Sequence, residues 1–264
     1  MPLPAKAFQR WLHGIAPDTS IADVCRLSGV KRTTLAQQLV RGKVAEATVV
    51  SISRAYNANP VTALAYFDLY RDLAGPQIPP TPQELVSQIA TLDLLRAVIA
   101  RSAPEAGAAG PGAESVAGAA SAAGAADGPA PGQPALSPAP HATSVKNWVD
   151  AIDDGELRHR VSAATGIAPQ NYSAQLTANR MAPEVAIATS RAAGVGLTGG
   201  LVATGLVTEA EAGWKAGARQ AALDMLSDGD LTVLAGDRLQ ALGKTLRRQE
   251  QDHQQTEKIW ENLG

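Results

Sequence analysis

The sequence repeats itself at a fixed offset of 137 residues. Trp11 falls on Trp148, Ile15 on Ile152, Val24 on Val161 and Gly29 on Gly166, with no gap. The same register carries Gln38 onto Gln175, Leu39 onto Leu176, Ala45 onto Ala182 and Leu64 onto Leu201. It also brings Ser53-Arg54-Ala55 over Ser190-Arg191-Ala192, Asp93-Leu94 over Asp230-Leu231 and Arg101 over Arg238. Apolar positions match in kind: Leu12 with Val149, Val30 with Ile167, Val50 with Ile187, Ile89 with Leu226. A register held over this length means two copies of one folding unit, over residues 8–102 and 145–239.

Between the copies, Ala103 to Ser144 is nearly all Ala, Gly, Pro and Ser. It has no apolar periodicity to build a core, and its Gly and Pro argue against an Ala-rich helix. It reads as a disordered linker. The sequence thus predicts an all-α chain of two tandem helix-turn-helix domains: 1–102, a linker 103–144, a divergent second domain 145–246, and a polar tail 247–264. The formal net charge is -2, which hides an uneven distribution. Residues 1–103 carry a net +4, residues 104–143 a net -3 and residues 144–264 a net -3. A basic first domain suits a polyanionic partner. Cys25 is the single cysteine, so no disulfide forms within the chain, which suits a cytoplasmic location. No signal-peptide pattern opens the chain, and no apolar run of about 18 residues spans a membrane.

The first copy reads as helices. Ala5 to Leu12 sets Phe8, Trp11 and Leu12 on one face. Ser20, with Asp23 three residues on, caps a helix running to Ser28, whose inward face is Ile21, Val24, Cys25 and Leu27. Gly29 ends it, because a tight turn between helices needs a residue that tolerates positive φ. A second helix over Arg32 to Val40 turns Leu35 and Leu39 inward. A third, Ala45 to Tyr56, carries Val49, Val50 and Ile52. Each copy closes with a further helical segment, Gln83 to Arg101 and Ala218 to Leu246. The stripe Leu231, Leu234, Leu239, Leu242 and Leu246 is expected to pack on its own domain.

The run from Ser20 to Leu39 resembles the helix-turn-helix of the Cro/repressor-like (XRE-type) family of phage and bacterial regulators. The likeness rests on Cys25 four residues before the turn Gly29, Val30 just after it and Leu35 five further on. Arg41-Gly42-Lys43 and the helix end from Ser53 to Pro60 share it. The resemblance implies a non-enzymatic regulator that binds double-stranded DNA without cofactor or metal. It also assigns base reading to Arg32, Thr33 and Gln37 at the start of the second helix. Arg bonds bidentately to guanine and Gln to adenine. Lys31, Arg41 and Lys43 suit phosphates, and Thr34 and Gln38 share the exposed face.

The second copy keeps the turn at Gly166-Ile167 but replaces Lys31, Arg32 and Gln37 with Ala168, Pro169 and Ala174. Its candidate surface is Gln170, Asn171, Gln175, Asn179 and Arg180, so weak or different DNA contact is expected there. The alternative is an adaptor, with a protein partner or self-association through the second copy or the C-terminal helix. Gly194 to Gly199 matches the dinucleotide fingerprint GxGxxG, but no strand precedes it and the repeat lays it over the turn at Asn57 to Thr62. The four histidines lack metal-ligand spacing.

Overall fold

Helix formation follows the repeat nearly residue for residue. The computed structural model describes residues 3–102 and 135–263; the expectation of disorder at 103–134 lies outside them. Copy one comprises α1 (Ala5–Ile15), α2 (Ile21–Ser28), α3 (Arg32–Val40), α4 (Glu46–Ala55) and α5 (Pro60–Ala65), then a 3-10 turn (Asp68–Ala74), α6 (Pro82–Ser87) and α7 (Thr91–Ser102). Copy two comprises α8 (Ser144–Ile152), α9 (Leu157–Thr165), α10 (Pro169–Thr177), α11 (Pro183–Ala193), α12 (Gly199–Ala203), α13 (Ala218–Asp224) and α14 (Asp228–Leu263). Shifted by the repeat offset, α3 coincides with α10 at both ends. The backbone specials repeat too: Gly29 and Gly166 have φ 69° and 70°, and Gly42 and Asn179 have φ 70° and 48°.

The chain is mostly helical, with one small exception. Leu3–Pro4 (β1) pairs antiparallel with Lys43–Val44 (β2), tying the N-terminus to the exit of α3. Leu3 and Val44 are fully buried there. Phe8 and Trp11 lie 5.7 Å apart, and Trp11 and Phe67 6.2 Å apart, at the aromatic centre of copy one. Around them Val24, Leu35, Val49, Ile52 and Leu64 are buried. The core of copy two gathers Val145, Trp148, Val149, Leu157, Val161, Tyr172, Met181 and Val185. Tyr172 stands where Leu35 stands in copy one. Its buried hydroxyl meets Thr189 Oγ1 at 3.2 Å, and Thr189 replaces Ile52. Two buried apolar positions of copy one thus carry a hydrogen-bonded polar pair in copy two.

Several expectations are corrected. Ile21 and Leu27 point outward, 40% and 58% exposed, because the short α2 buries only the Val24–Cys25 stripe. The segment expected as one helix over Gln83 to Arg101 breaks into α6 and α7. Gln88, buried at the break, spends its Nε2 on the Ser144 carbonyl (3.3 Å) and its own carbonyl on Arg219 (3.0 Å). The segment from Ala218 to Leu246 breaks likewise. Ser227 accepts from the Asp230 N–H (3.1 Å) and so caps a new helix. That helix runs to Leu263, where a polar tail was expected. Leu239, Leu242 and Leu246 stay 44–48% exposed instead of packing on the domain.

Contacts divide the chain across the expected domain boundaries. One unit joins residues 1–88 with 138–219, and the other joins 89–137 with 220–264. The helix-turn-helix-like segments of both copies therefore fall within one unit. In that unit Arg54 forms a bidentate pair with Glu211 (2.6 and 2.7 Å). Its counterpart Arg191 pairs with Asp72 at 2.5 Å. Each arginine thus reaches the corresponding segment of the other copy, as in an isologous interface between identical subunits. In the second unit α14 packs on α7, with Arg101 donating to the Leu223 and Leu226 carbonyls (2.8 and 2.6 Å).

Candidate nucleic-acid interface

The turn that aims α3 is built from local hydrogen bonds. Ser20 Oγ accepts from the Asp23 N–H at 3.2 Å, and Asp23 in turn holds Arg26 at 2.6 Å. Gly29 closes α2 in the left-handed conformation. Ser28 Oγ donates to the Val24 carbonyl at 2.7 Å. In copy two Thr165 does the same to Val161, also at 2.7 Å, beside Gly166. The turn is one device used twice.

Behind the turn, α3 is pinned by two side chains. Leu35 is fully buried. Gln38 Oε1 accepts from the Ala45 N–H (3.3 Å) and from Thr48 Oγ1 (3.0 Å), latching α3 to the start of α4. Gln175 repeats the latch on the Ala182 N–H at 3.1 Å. Asn179, in the left-handed region, accepts from the Val145 N–H (2.8 Å) and donates to the His141 carbonyl (3.2 Å). Gln38, Gln175 and Asn179 were expected on the reading surface; their carbonyl oxygens instead hold the modules together. Nothing in the short sequence pattern separates a latch glutamine from a reading one. Its recurrence at both copies, where the neighbouring surface diverges, is the available signal.

What remains outward on α3 is a basic row. Lys31 sits at the helix N-cap, Arg32 at the first helical position, and Thr33, Thr34 and Gln37 follow; all are exposed. Arg41 caps the C-terminus and Lys43 lies in β2, both exposed. Among the described residues none of Lys31, Arg32, Arg41 and Lys43 has an acidic partner. Elsewhere most arginines are paired: Arg26, Arg54, Arg71, Arg96, Arg101, Arg160, Arg191 and Arg219 all hold carboxylates. The N-terminal end of α3 adds its own positive dipole to this row. On α10 the exposed candidates are Gln170 and Asn171, with Arg180 beyond the helix as the one charge. Near α9, the Arg160 hydrogen bond holds the Asp154 carboxyl below its ordinary value. That pair is a surface ion pair and leaves α10 neutral.

The site depends on how the copies join, and the residues that join them escaped sequence reasoning. Glu84, fully buried, completes a capping box with Thr81 and accepts from Trp148 Nε1 of the other copy at 3.1 Å. A Cβ on Gly199 would come within 2.5 Å of Glu84 Oε1, and one on Gly196 within 2.4 Å of the Ile78 carbonyl. Two glycines of the apparent dinucleotide fingerprint are therefore spacers for the seam between copies, and the third, Gly194, is the left-handed cap of α11. Burial and the Glu46 carboxylate, to which Tyr70 donates at 2.8 Å, push the Tyr70 phenol well above its ordinary value.

Among the described residues no helix is long and apolar enough to cross a membrane. Comparison with protein-family models, with curated proteins and with solved structures finds no match to this chain.

Proposed function

We propose that this chain is a cytoplasmic, sequence-specific regulator that binds double-stranded DNA through α3. The kind is that of the Cro/repressor-like proteins its first copy resembles. The observation that carries the reading is the row of cations without carboxylate partners at Lys31, Arg32, Arg41 and Lys43, on a pinned helix following a tight turn. A major groove admits such a helix with its first residues against base edges. Arg32, Thr33 and Gln37 would read bases, while Lys31, Arg41 and Lys43 would hold phosphates. Because the copies share one unit, α10 would meet the same duplex through Gln170 and Asn171, with little charge.

The test is selection of a preferred duplex by the full-length protein, followed by anisotropy titrations. Arg32→Ala should cost about 1–3 kcal/mol at the selected duplex and little on random DNA. Lys43→Ala should weaken binding on every sequence and reduce the salt slope by about one. Absence of salt-dependent DNA binding would sink the reading, and equal losses for Arg32→Ala on both duplexes would remove Arg32 as a base reader. The neutral face of α10 favours one alternative, in which the second copy serves a protein contact and only α3 touches DNA.

A further inference from the structure

The C-terminal helix outruns its packing partner. α7 has 12 residues and α14 has 36, so at about 1.5 Å per residue α7 covers only about a third of it. In the covered part Leu231 and Ala235 are buried. Beyond it, Leu239, Leu242 and Leu246 are 44%, 45% and 48% exposed, and every residue from Lys244 to Thr256 is exposed. Long helices in proteins owe most of their stability to burial of an apolar face, and here such a face is present but uncovered. Ala235, Leu239, Leu242 and Leu246 alternate spacings of four and three, the heptad seam of a coiled coil. The sequence continues the same spacing through Gln249, His253, Thr256, Trp260 and Leu263.

Charge selects the occupant and its direction. Residues 238–248 contain Arg238, Lys244, Arg247 and Arg248 and no acid. Residues 249–263 contain Glu250, Asp252, Glu257 and Glu261 against Lys258. The exposed helix is thus basic, then acidic. A parallel second copy would stack like charge on like; an antiparallel copy sets the basic stretch 238–248 against the end of the helix, where Glu257 and Glu261 outweigh Lys258, with Glu250 and Asp252 meeting near the centre. An antiparallel pair centred on position 251 also keeps the seam in register, setting 239 level with 263, 242 with 260, 246 with 256 and 249 with 253. The polar layer at 249 and 253 fixes that register at some cost in stability.

We propose that α14 is a self-association helix on which a second copy of this chain docks antiparallel, along the seam of Leu239, Leu242 and Leu246. Sedimentation of the full-length protein across the micromolar range should show a dimer that weakens as salt rises. The double variant Leu242→Glu with Leu246→Glu alters exposed positions, so circular dichroism should confirm an intact fold. Its dimer dissociation constant should rise on the order of 100-fold, because two glutamates from each copy would have to be buried in the seam. For direction, a spin label at Ala241→Cys in a Cys25→Ala background should report a label separation of about 30 Å. That is the offset of 20 residues implied by a centre at 251. A monomer throughout, a dimer unaffected by the glutamates, or a separation below about 15 Å would each overturn the proposal.

Discussion

Removing the Glu84 carboxylate tests whether the two copies share a core. Glu84 accepts from three donors: Trp148 Nε1 at 3.1 Å, the Thr81 N–H at 3.0 Å and Thr81 Oγ1 at 3.2 Å. Glu84 and Trp148 are both fully buried, so Glu84→Ala leaves the indole N–H without a partner and without water. An orphaned buried donor costs about 1–3 kcal/mol. Thr81 is half-buried and can be rehydrated, so losing its reciprocal cap adds about 1 kcal/mol. The expected loss is therefore about 2–4 kcal/mol, read as a lower urea midpoint of the full-length protein with an unchanged slope. Trp148→Phe removes the same N–H from the other side. A double-mutant cycle of Glu84→Ala with Trp148→Phe should show a coupling of about 0.5–3 kcal/mol, as for residues in direct contact. A Glu84→Ala protein as stable as the parent, or a cycle with no coupling, would mean that the copies do not meet through this bond.

Two further outcomes follow from the same seam. Gly200→Ala would put a Cβ 2.7 Å from Trp148 Cη2 and 2.9 Å from the Ala186 Cβ, and should destabilise by about 1–3 kcal/mol through overpacking, checked by thermal melting. The Arg54 hydrogen bonds hold the Glu211 carboxyl below its ordinary value. Its contribution is then full at and above the ordinary carboxylate range, near pH 4.3, and fades as pH falls through the lowered value. Glu211→Gln should cost about 1 kcal/mol or less at neutral pH, since Arg54 stays 42% exposed and solvent screens the pair. The difference from the parent should close as pH falls below 4; a gap that persists there would show that the pair is not its origin.

Local structure was legible because local rules decide it. The Ser20 cap, the Gly29 turn and the exact span of α3 follow from residues within four positions of one another. The repeat then carried those assignments to copy two. The breaks in the closing helices were less visible. Ser227 with Asp230 is a capping pattern lying inside an apolar periodicity, while Gln88 ends α6 by bonding to residues 56 and 131 positions away. Long-range partners of that kind leave no periodic trace. The seam was invisible for the same reason. Glu84 reads as an ordinary capping-box acid, and its second role depends on Trp148, 64 residues on. At the proposed interface the sequence marked the cationic row but could not tell the latch residues Gln38 and Gln175 from readers.

The repeat also separates what the fold needs from what the surface is free to change. Between α3 and α10 the turn glycine, the latch glutamine and the left-handed exit at Gly42 and Asn179 persist, whereas Lys31, Arg32 and Gln37 give way to Ala168, Pro169 and Ala174. In a dimer of separate identical modules every such change would strike both faces at once. Joining the copies in one chain removes that restriction, and the seam has used the freedom as well. Arg54 and Arg191 still act reciprocally, but Glu84 has Ala221 as its counterpart, and Gly199 and Gly200 have Thr62 and Ala63. Copy one thus sends a carboxylate into the core of copy two, while the corresponding Trp11 packs against Phe8 and Phe67 within its own copy. The two halves are no longer interchangeable. Exchanging only the exposed Lys31, Arg32 and Gln37 with Ala168, Pro169 and Ala174 would respect the latches, leave the buried Leu35 and the Tyr172–Thr189 pair in place and spare the seam, and under the proposed function it would move the cationic face to the other half.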